Sequence, residues 1–236
     1  MDTNNFPAVD ASDVGWLTET QMIEVDRVMI EDLEIQLIQM MENAGRNLAH
    51  LVITRFAPSA VTVLAGSGGN GGGGLVAARH LANRGVDVTV TLGTTPDSFG
   101  PIPAHQYDIL QRMGVPTEEN PPGADVTIDA MIGYSLKGAP RGRIAELIDI
   151  VGQTTTTVVS LDTPSGLNVT DGSLPGTVIN ADATMTLALP KIGLRDAAQV
   201  GDLYLADISV PPSVYDAFGL PAADFTTSSI VHVVRS

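Results

Sequence analysis

The stretch VTVLAGSGGNGGGGLVAARHLANRG, residues 61–85, decides the fold. Its opening, VTVLA, is a short apolar run rich in β-formers. Its end, LVAARHLANRG, predicts a helix over 75–85 closed by Gly85 at the C-cap. Between them lies GSGGNGGGG, residues 66–74, seven of nine being glycine, with Asn70 in the middle. Glycine-rich segments that follow a strand and precede a helix let backbone N–H groups approach a ligand closely. The helix behind adds free N–H groups and a positive dipole end, a setting for an anion such as pyrophosphate. The plainer reading is a tight turn. A GxGxxG spacing fits Gly66, Gly68 and Gly71, but so many glycines fit almost any spacing. The acidic ribose-binding residue expected at the end of the next strand is absent, since VDVTVTLGTT closes on Thr and Gly.

Outward from this unit the pattern repeats. Residues 86–92 alternate as a strand, and 104–114 read as a helix closed by glycine. Further strands are expected at 125–133, 156–162 and 182–189, with a helix over 142–152 and late strands at 202–208 and 230–234. Before the unit come two helices. Thr18-Glu-Thr-Gln21 is a capping box, followed by Met22, Val25, Val28 and Met29 at helical spacing. Leu37, Met40, Met41, Ala44, Leu48 and Leu51 mark a second helix over 35–55. Strand alternating with helix implies an α/β protein with a mostly parallel sheet covered on both faces, after two N-terminal helices. One domain over 1–236 is expected, with 1–15 loosely held. Analogy with doubly wound folds suggests a central order of 3-2-1-4-5, counting the strand at 61–66 as the first.

Composition narrows the function. No cysteine is present, which excludes disulfides, thiol catalysis and cysteine-ligated metal centres. His50, His80, His105 and His232 are scattered, which argues against a transition-metal site. A net charge of −15 argues against nucleic acid as a partner. No apolar run reaches the ~18 residues of a membrane span. The acidic N-terminus has no basic, then apolar, leader pattern. The expectation is a cytoplasmic protein without membrane contact. With only two lysines in the chain, Lys137 and Lys191, the position of each is informative.

Ligands in open α/β sheets bind beyond the carboxyl ends of the strands. Two more strand ends carry unusual sequence. DAMIGYSLKGAPRG, 129–142, sets Asp129 before a glycine-rich loop that carries Tyr134, Ser135, Lys137 and Arg141. That loop reads as a clamp on a nucleotide, or as a solvated loop capped by Asp129. SLDTPSGLN, 160–168, ends an apolar strand on Asp162 and then turns at Pro164-Ser165-Gly166. Asp162 is placed for chemistry or cation binding, or is a turn acceptor.

Together the loops resemble one family, the YjeF N-terminal domain proteins or NAD(P)H-hydrate epimerases. AGSGGNGGGGLVAARHL is similar to its G-P-G-N-N-G-G-D-G-L-V-A-A-R-H-L segment. DAMIGYSLKGAPR and SLDTPSGLN resemble two further family segments, and MMENAGRNLA (40–49) and ADATMTLALPKIGL (181–194) resemble the flanking ones. The resemblance covers about residues 18–207. It implies a three-layer αβα Rossmann-like fold, a homodimer, and interconversion of the R and S forms of hydrated NADH and NADPH at C6 of the nicotinamide ring. It implies a separate ADP- or ATP-dependent dehydratase acting downstream. It places potassium ligands at Asn70, Asp129 and Ser165, all oxygen donors of the kind a hard cation takes. It places substrate contacts at Gly69, Asn70, Gly71, Gly72 and Gly73, at Gly133, Tyr134, Ser135, Leu136, Lys137, Gly138 and Ala139, and at Asp162. Asp162 is expected as acid and base, with Lys137 as a second catalytic group that clamps a phosphate or the hydroxyl. Two positions depart from the family loop. Gly69 replaces its first Asn and Gly73 its Asp. That departure keeps an alternative open, a non-catalytic nucleotide-binding or scaffold member.

Overall fold

A computed structural model describes residues 6–235. The elements in chain order are β1 (Ala8–Asp10), α1 (Glu19–Arg27), a π-helical turn (Val28–Asp32), α2 (Leu37–Phe56), β2 (Ala60–Ala65), α3 (Gly69–Ala82) and β3 (Asp87–Leu92). There follow α4 (Pro101–Arg112), β4 (Val126–Ala130), α5 (Gly142–Val151), β5 (Thr157–Leu161), β6 (Ala183–Leu187), β7 (Asp202–Ala206), α6 (Pro212–Asp216) and β8 (Ile230–Val234).

The strands form one sheet in the order β1-β8-β7-β6-β5-β4-β2-β3. Every neighbouring pair is parallel except β7 with β8. The strand alternation of side chains makes three layers. In β2, Val61, Val63 and Ala65 enter the core built with α2, α3 and α4, including Leu48, Leu75 and Leu110. Leu64 points the other way, into the cluster with Leu147, Ile148 and Val151 of α5. This is the three-layer αβα, mostly parallel arrangement expected. The capping box of α1 is also formed: the Thr18 hydroxyl accepts from the Gln21 N–H, and the Gln21 side chain accepts from the Thr18 N–H.

The structure corrects the sequence reading in three places. Counted from β2 as the first strand, the central order is 2-1-3-4-5, not 3-2-1-4-5, because β4 and not β5 pairs inward with β2, which leaves β3 at the edge. The patterning explains it. VTIDA of β4 is buried throughout, as an interior strand must be. β3 begins exposed and is only partly covered, as an edge strand is.

Residues 6–15 are also built into the fold. β1 pairs with β8 through Ala8 and His232, Phe6 and Val14 are buried, and the Trp16 indole donates to the Ala11 carbonyl at 2.9 Å. Three residues of edge strand carry too little pattern to be read from sequence. Residues 1–5 of the expected loose segment lie outside the described residues.

The third correction concerns the glycines. α3 begins at Gly69, so Gly71, Gly72, Gly73 and Gly74 lie in a helix and are buried. Each glycine disfavours helix by about 1 kcal/mol relative to alanine. Tertiary packing overrides that preference, because no side chain fits. A Cβ on Gly71 would lie 1.9 Å from the Gly66 carbonyl oxygen, and one on Gly74 2.5 Å from the Ala130 Cβ. The glycines let α3 lie almost against the strand ends and α2. Gly71→Ala is therefore expected to destabilise the protein by about 3 kcal/mol or more, since the obstacle is backbone. Gly123→Ala, where an added Cβ meets nothing within 4 Å, serves as the control. It should stay within about 0.5 kcal/mol in urea denaturation.

Candidate active site

The switch point of this sheet lies between β2 and β4, whose chains continue to opposite sides. Register aligns the strand ends: Leu64 stands beside Asp129, Asp129 beside Ser160, and Leu161 beside Met185. The loops after β2, β4 and β5 therefore meet at one place. They line a cavity of about 500 Å³ together with residues of α1, α2 and the segment after β6.

Asp129 lies beneath this cavity and is fully buried. One carboxylate oxygen accepts from the Ser160 hydroxyl at 2.9 Å and the Ser165 N–H at 2.8 Å. The other accepts from the Ser165 hydroxyl at 2.6 Å and the Met131 N–H at 3.3 Å. Burial pushes the carboxyl upward against these hydrogen bonds. Among the described residues no basic side chain pairs with it. The Ser165 hydroxyl also accepts from the Ile132 N–H at 2.9 Å, which ties the β4 and β5 loops together.

Asp162 follows β5 with φ of +65°, the left-handed region. Aspartate tolerates that conformation better than most residues. Its N–H still donates to the Met185 carbonyl at 2.7 Å, so the ladder continues while the side chain turns into the cavity. One carboxylate oxygen accepts from the Lys191 ammonium. The other faces Gly133: a Cβ built there would lie 3.4 Å from it and 3.4 Å from Asn70. Lys191 is completely buried, and its ammonium also donates to the Leu187 carbonyl at 2.9 Å and the Thr186 hydroxyl at 3.3 Å. All three of its donors are thus engaged.

Of the expected substrate contacts, Gly69, Asn70, Gly73, Gly133, Tyr134, Ser135 and Asp162 line the cavity. Gly71 and Gly72 lie behind it, in the body of α3. Leu136, Lys137, Gly138 and Ala139 lie outside the lining, and Lys137 is exposed. The basic group beside Asp162 is the other lysine, Lys191. Its signal was available: it is a lysine inside the apolar run LALPKIGL. Asp26 was also missed. Met22, Asp26 and Ile30 recur every four residues and all line the cavity, so the carboxylate shares a helical face with apolar residues. The Tyr134 hydroxyl donates to it at 2.6 Å.

Asn70 carries a buried side-chain nitrogen without a hydrogen-bond partner among the described residues. Rotating the amide by half a turn presents its carbonyl oxygen at the same place. At the start of α3, Gly68 occupies the N-cap position without a side-chain cap. The first N–H groups of the helix remain for a ligand.

Comparison with known proteins bears on this arrangement. The family model described as YjeF-related protein N-terminus matches residues 37–193. An NAD(P)H-hydrate epimerase of Dehalogenimonas lykanthroporepellens is 43% identical over 223 residues, covering 91% of this chain and 90% of the relative. The chain belongs to the YjeF-related N-terminus family. An NAD(P)H-hydrate epimerase of Truepera radiovictrix is 36% identical and is 86% covered. A bifunctional NAD(P)H-hydrate repair enzyme Nnr of Hyperthermus butylicus is 40% identical, but this chain spans only 36% of its length. The crystal structure of yeast ynu0, YNL200c, matches with a TM-score of 0.79 at 25% identity, covering 92% of this chain and 99% of that one.

Against the family loop, the glycine at 73 has a packing consequence. A Cβ there would lie 2.8 Å from Leu161 Cδ2, so the leucine methyl occupies space that a side chain at 73 would need. Gly73→Asp alone is expected to destabilise the protein by about 1–3 kcal/mol through overpacking. Adding Leu161→Val should recover most of that loss. Thermal melts of the single and double variants check it; a fully stable single variant would contradict the packing argument.

Proposed function

We infer that this protein is an NAD(P)H-hydrate epimerase, an isomerase that interconverts the R and S forms of hydrated NADH or NADPH at C6. The observation that carries the reading is the buried Asp162–Lys191 pair on the wall of a cavity beside the free start of α3, in a chain 43% identical to an epimerase.

The chemistry is modest. C6 of the hydrated ring bears a hydroxyl and the ring nitrogen, so it is a hemiaminal. Inversion proceeds by loss and re-addition of water through an iminium-like cation, or by reversible ring opening. Either route needs a group that moves a proton and a negative environment for the developing positive charge. Asp162 is assigned both tasks. Lys191 holds one of its oxygens and leaves the other toward the cavity. The N–H groups at the start of α3 suit the pyrophosphate. Gly69, Asn70, Gly73, Gly133, Tyr134 and Ser135 are assigned to substrate contact. Lys137 is too exposed to serve as acid or base, and its proposed part shrinks to a phosphate contact from the rim.

A potassium ion fits the residues present. Asp129 is a buried carboxylate without a basic partner among the described residues, a situation that a cation relieves. Asn70 and Ser165 supply neutral oxygens. These three residues are proposed to hold it. When bound, the ion would supply fixed positive charge that braces the loops and the cofactor phosphates.

A separate dehydratase acting on the product and a homodimeric state are part of the proposal. So is action in the cytoplasm; among the described residues no helix is long and apolar enough to cross a membrane. The test supplies R-NADHX to an S-specific dehydratase in KCl and follows NADH recovery with and without this protein. Acceleration over the spontaneous rate supports epimerisation. Binding without acceleration would favour the non-catalytic alternative.

A further inference from the structure

Inversion at C6 makes a stereochemical demand. By the iminium route, oxygen leaves from one face of the ring and enters on the other. A single carboxylate serves one face unless the ring turns over inside the cavity. The ionisable side chains that line the cavity are Asp26, Tyr134, Asp162 and Lys191. Lys191 is fully engaged by Asp162, Thr186 and Leu187. That leaves Asp26 and Tyr134, which are joined by a 2.6 Å hydrogen bond and approach from α1 and the loop after β4. Asp26 has no ion-pair partner among the described residues, and the Tyr134 hydroxyl is the one hydrogen-bond partner its carboxylate has there.

We propose that Asp26 and Tyr134 form a second proton-transfer pair, serving the ring face that Asp162 does not. The inference rests on the epimerase reading above. In one direction, protonated Asp26 gives its proton to the Tyr134 oxygen, and Tyr134 gives its own to the C6 hydroxyl. The C–O bond breaks with its electron pair leaving on oxygen as water, and the ring-nitrogen lone pair forms the C=N bond. Water then adds to C6 from the Asp162 side, its oxygen pair forming the new C–O bond. The C=N π pair returns to nitrogen and the released proton goes to the Asp162 carboxylate. One water leaves and one enters; no oxidant is needed. The return direction exchanges the two carboxylates' tasks, and solvent resets their protons.

The surroundings suit these tasks. Burial raises the Asp26 carboxyl above its ordinary range and the Asp162 charge adds to this, while the Tyr134 hydrogen bond and the Lys191 ammonium oppose it. Burial, Asp26, Asp162 and Glu19 all push the Tyr134 hydroxyl upward, so it stays protonated and passes a proton without ionising. Tyr134 would touch the substrate; Asp26 acts through it and is a positioning and relay residue.

The experiment runs pure R-NADHX and pure S-NADHX separately with the full chain in water enriched in oxygen-18. Two quantities are followed, conversion to the other epimer by chromatography and oxygen-18 entry into the C6 hydroxyl by mass spectrometry. The wild-type protein should show both. In Tyr134→Phe and in Asp26→Asn, conversion should fall by about 10-fold or more from either epimer, while label exchange persists in the one epimer whose hydroxyl faces Asp162. The wild-type pH profile should have two limbs, because one proton must reside on the pair, and Asp26→Asn should collapse it to one limb. Equal loss of conversion and exchange from both epimers would mark a merely structural role and overturn the proposal. So would unchanged conversion in both variants, or wild-type conversion without label entry, either of which leaves the epimerase reading intact. A wild-type protein that does neither overturns the epimerase reading itself.

Discussion

Asp162→Asn is expected to lower R-to-S conversion by about 10²–10⁴-fold, the range lost when a positioned acid–base group is removed. Asparagine is the informative replacement. It keeps the shape of the side chain and tolerates the left-handed backbone that position 162 adopts, with φ of +65°. Alanine would add backbone strain and blur the result. The Asn amide can still accept from Lys191 but can neither take a proton nor oppose a positive ring. Substrate affinity should change little, since the α3 start and the β4 loop remain. Initial rates across a substrate series check this: a drop in kcat at near-constant KM is expected. Retained full activity would remove Asp162 from the mechanism.

Lys191→Met is expected to be the most destabilising single change at the site. Lys191 is completely buried and Asp162 is 4% exposed, so removing the ammonium strands a carboxylate in the interior. Breaking one side of a buried pair costs about 3–5 kcal/mol. The same change removes the ammonium from the Leu187 carbonyl, and leaves the Thr186 hydroxyl only its 3.4 Å contact to Asp162. Conversion should fall with it, because the orientation of Asp162 depends on that contact. The double variant Lys191→Met with Asp162→Asn should be more stable than Lys191→Met alone, since the unpaired charge is gone. Urea denaturation of the three proteins measures the coupling. A double variant less stable than either single one would contradict the pairing.

The contrast between these two residues and Lys137 indicates what a sequence displays. Strand, loop and helix were legible around residues 61–92 because apolar periodicity and glycine punctuation act locally. The same holds for the capping box at Thr18. The inward pairing of β4 with β2 was not legible, because strand order depends on burial of both faces, which only the complete sheet defines. The start of α3 was misread for a related reason. Glycine propensity argues against helix, and what overrides it is the close approach of the Gly66 backbone and of Ala130 and Met41, the last two distant in sequence. At the site, the strand-end carboxylates Asp129 and Asp162 could be found because they close apolar runs. Lys137 drew attention by standing in a glycine-rich loop, yet it is exposed. Lys191 and Asp26 reach the cavity from the segment after β6 and from α1, and only tertiary structure brings those segments to the ends of β2, β4 and β5.

Epimerisation at this cavity is measured directly by the approach of pure R-NADHX to its R/S equilibrium, followed by chiral-phase chromatography in KCl with wild-type protein and with Asp162→Asn. Rapid equilibration by the wild-type chain and a rate near the spontaneous one for the variant are expected. Equilibration by the wild-type protein no faster than in buffer would contradict the epimerase reading.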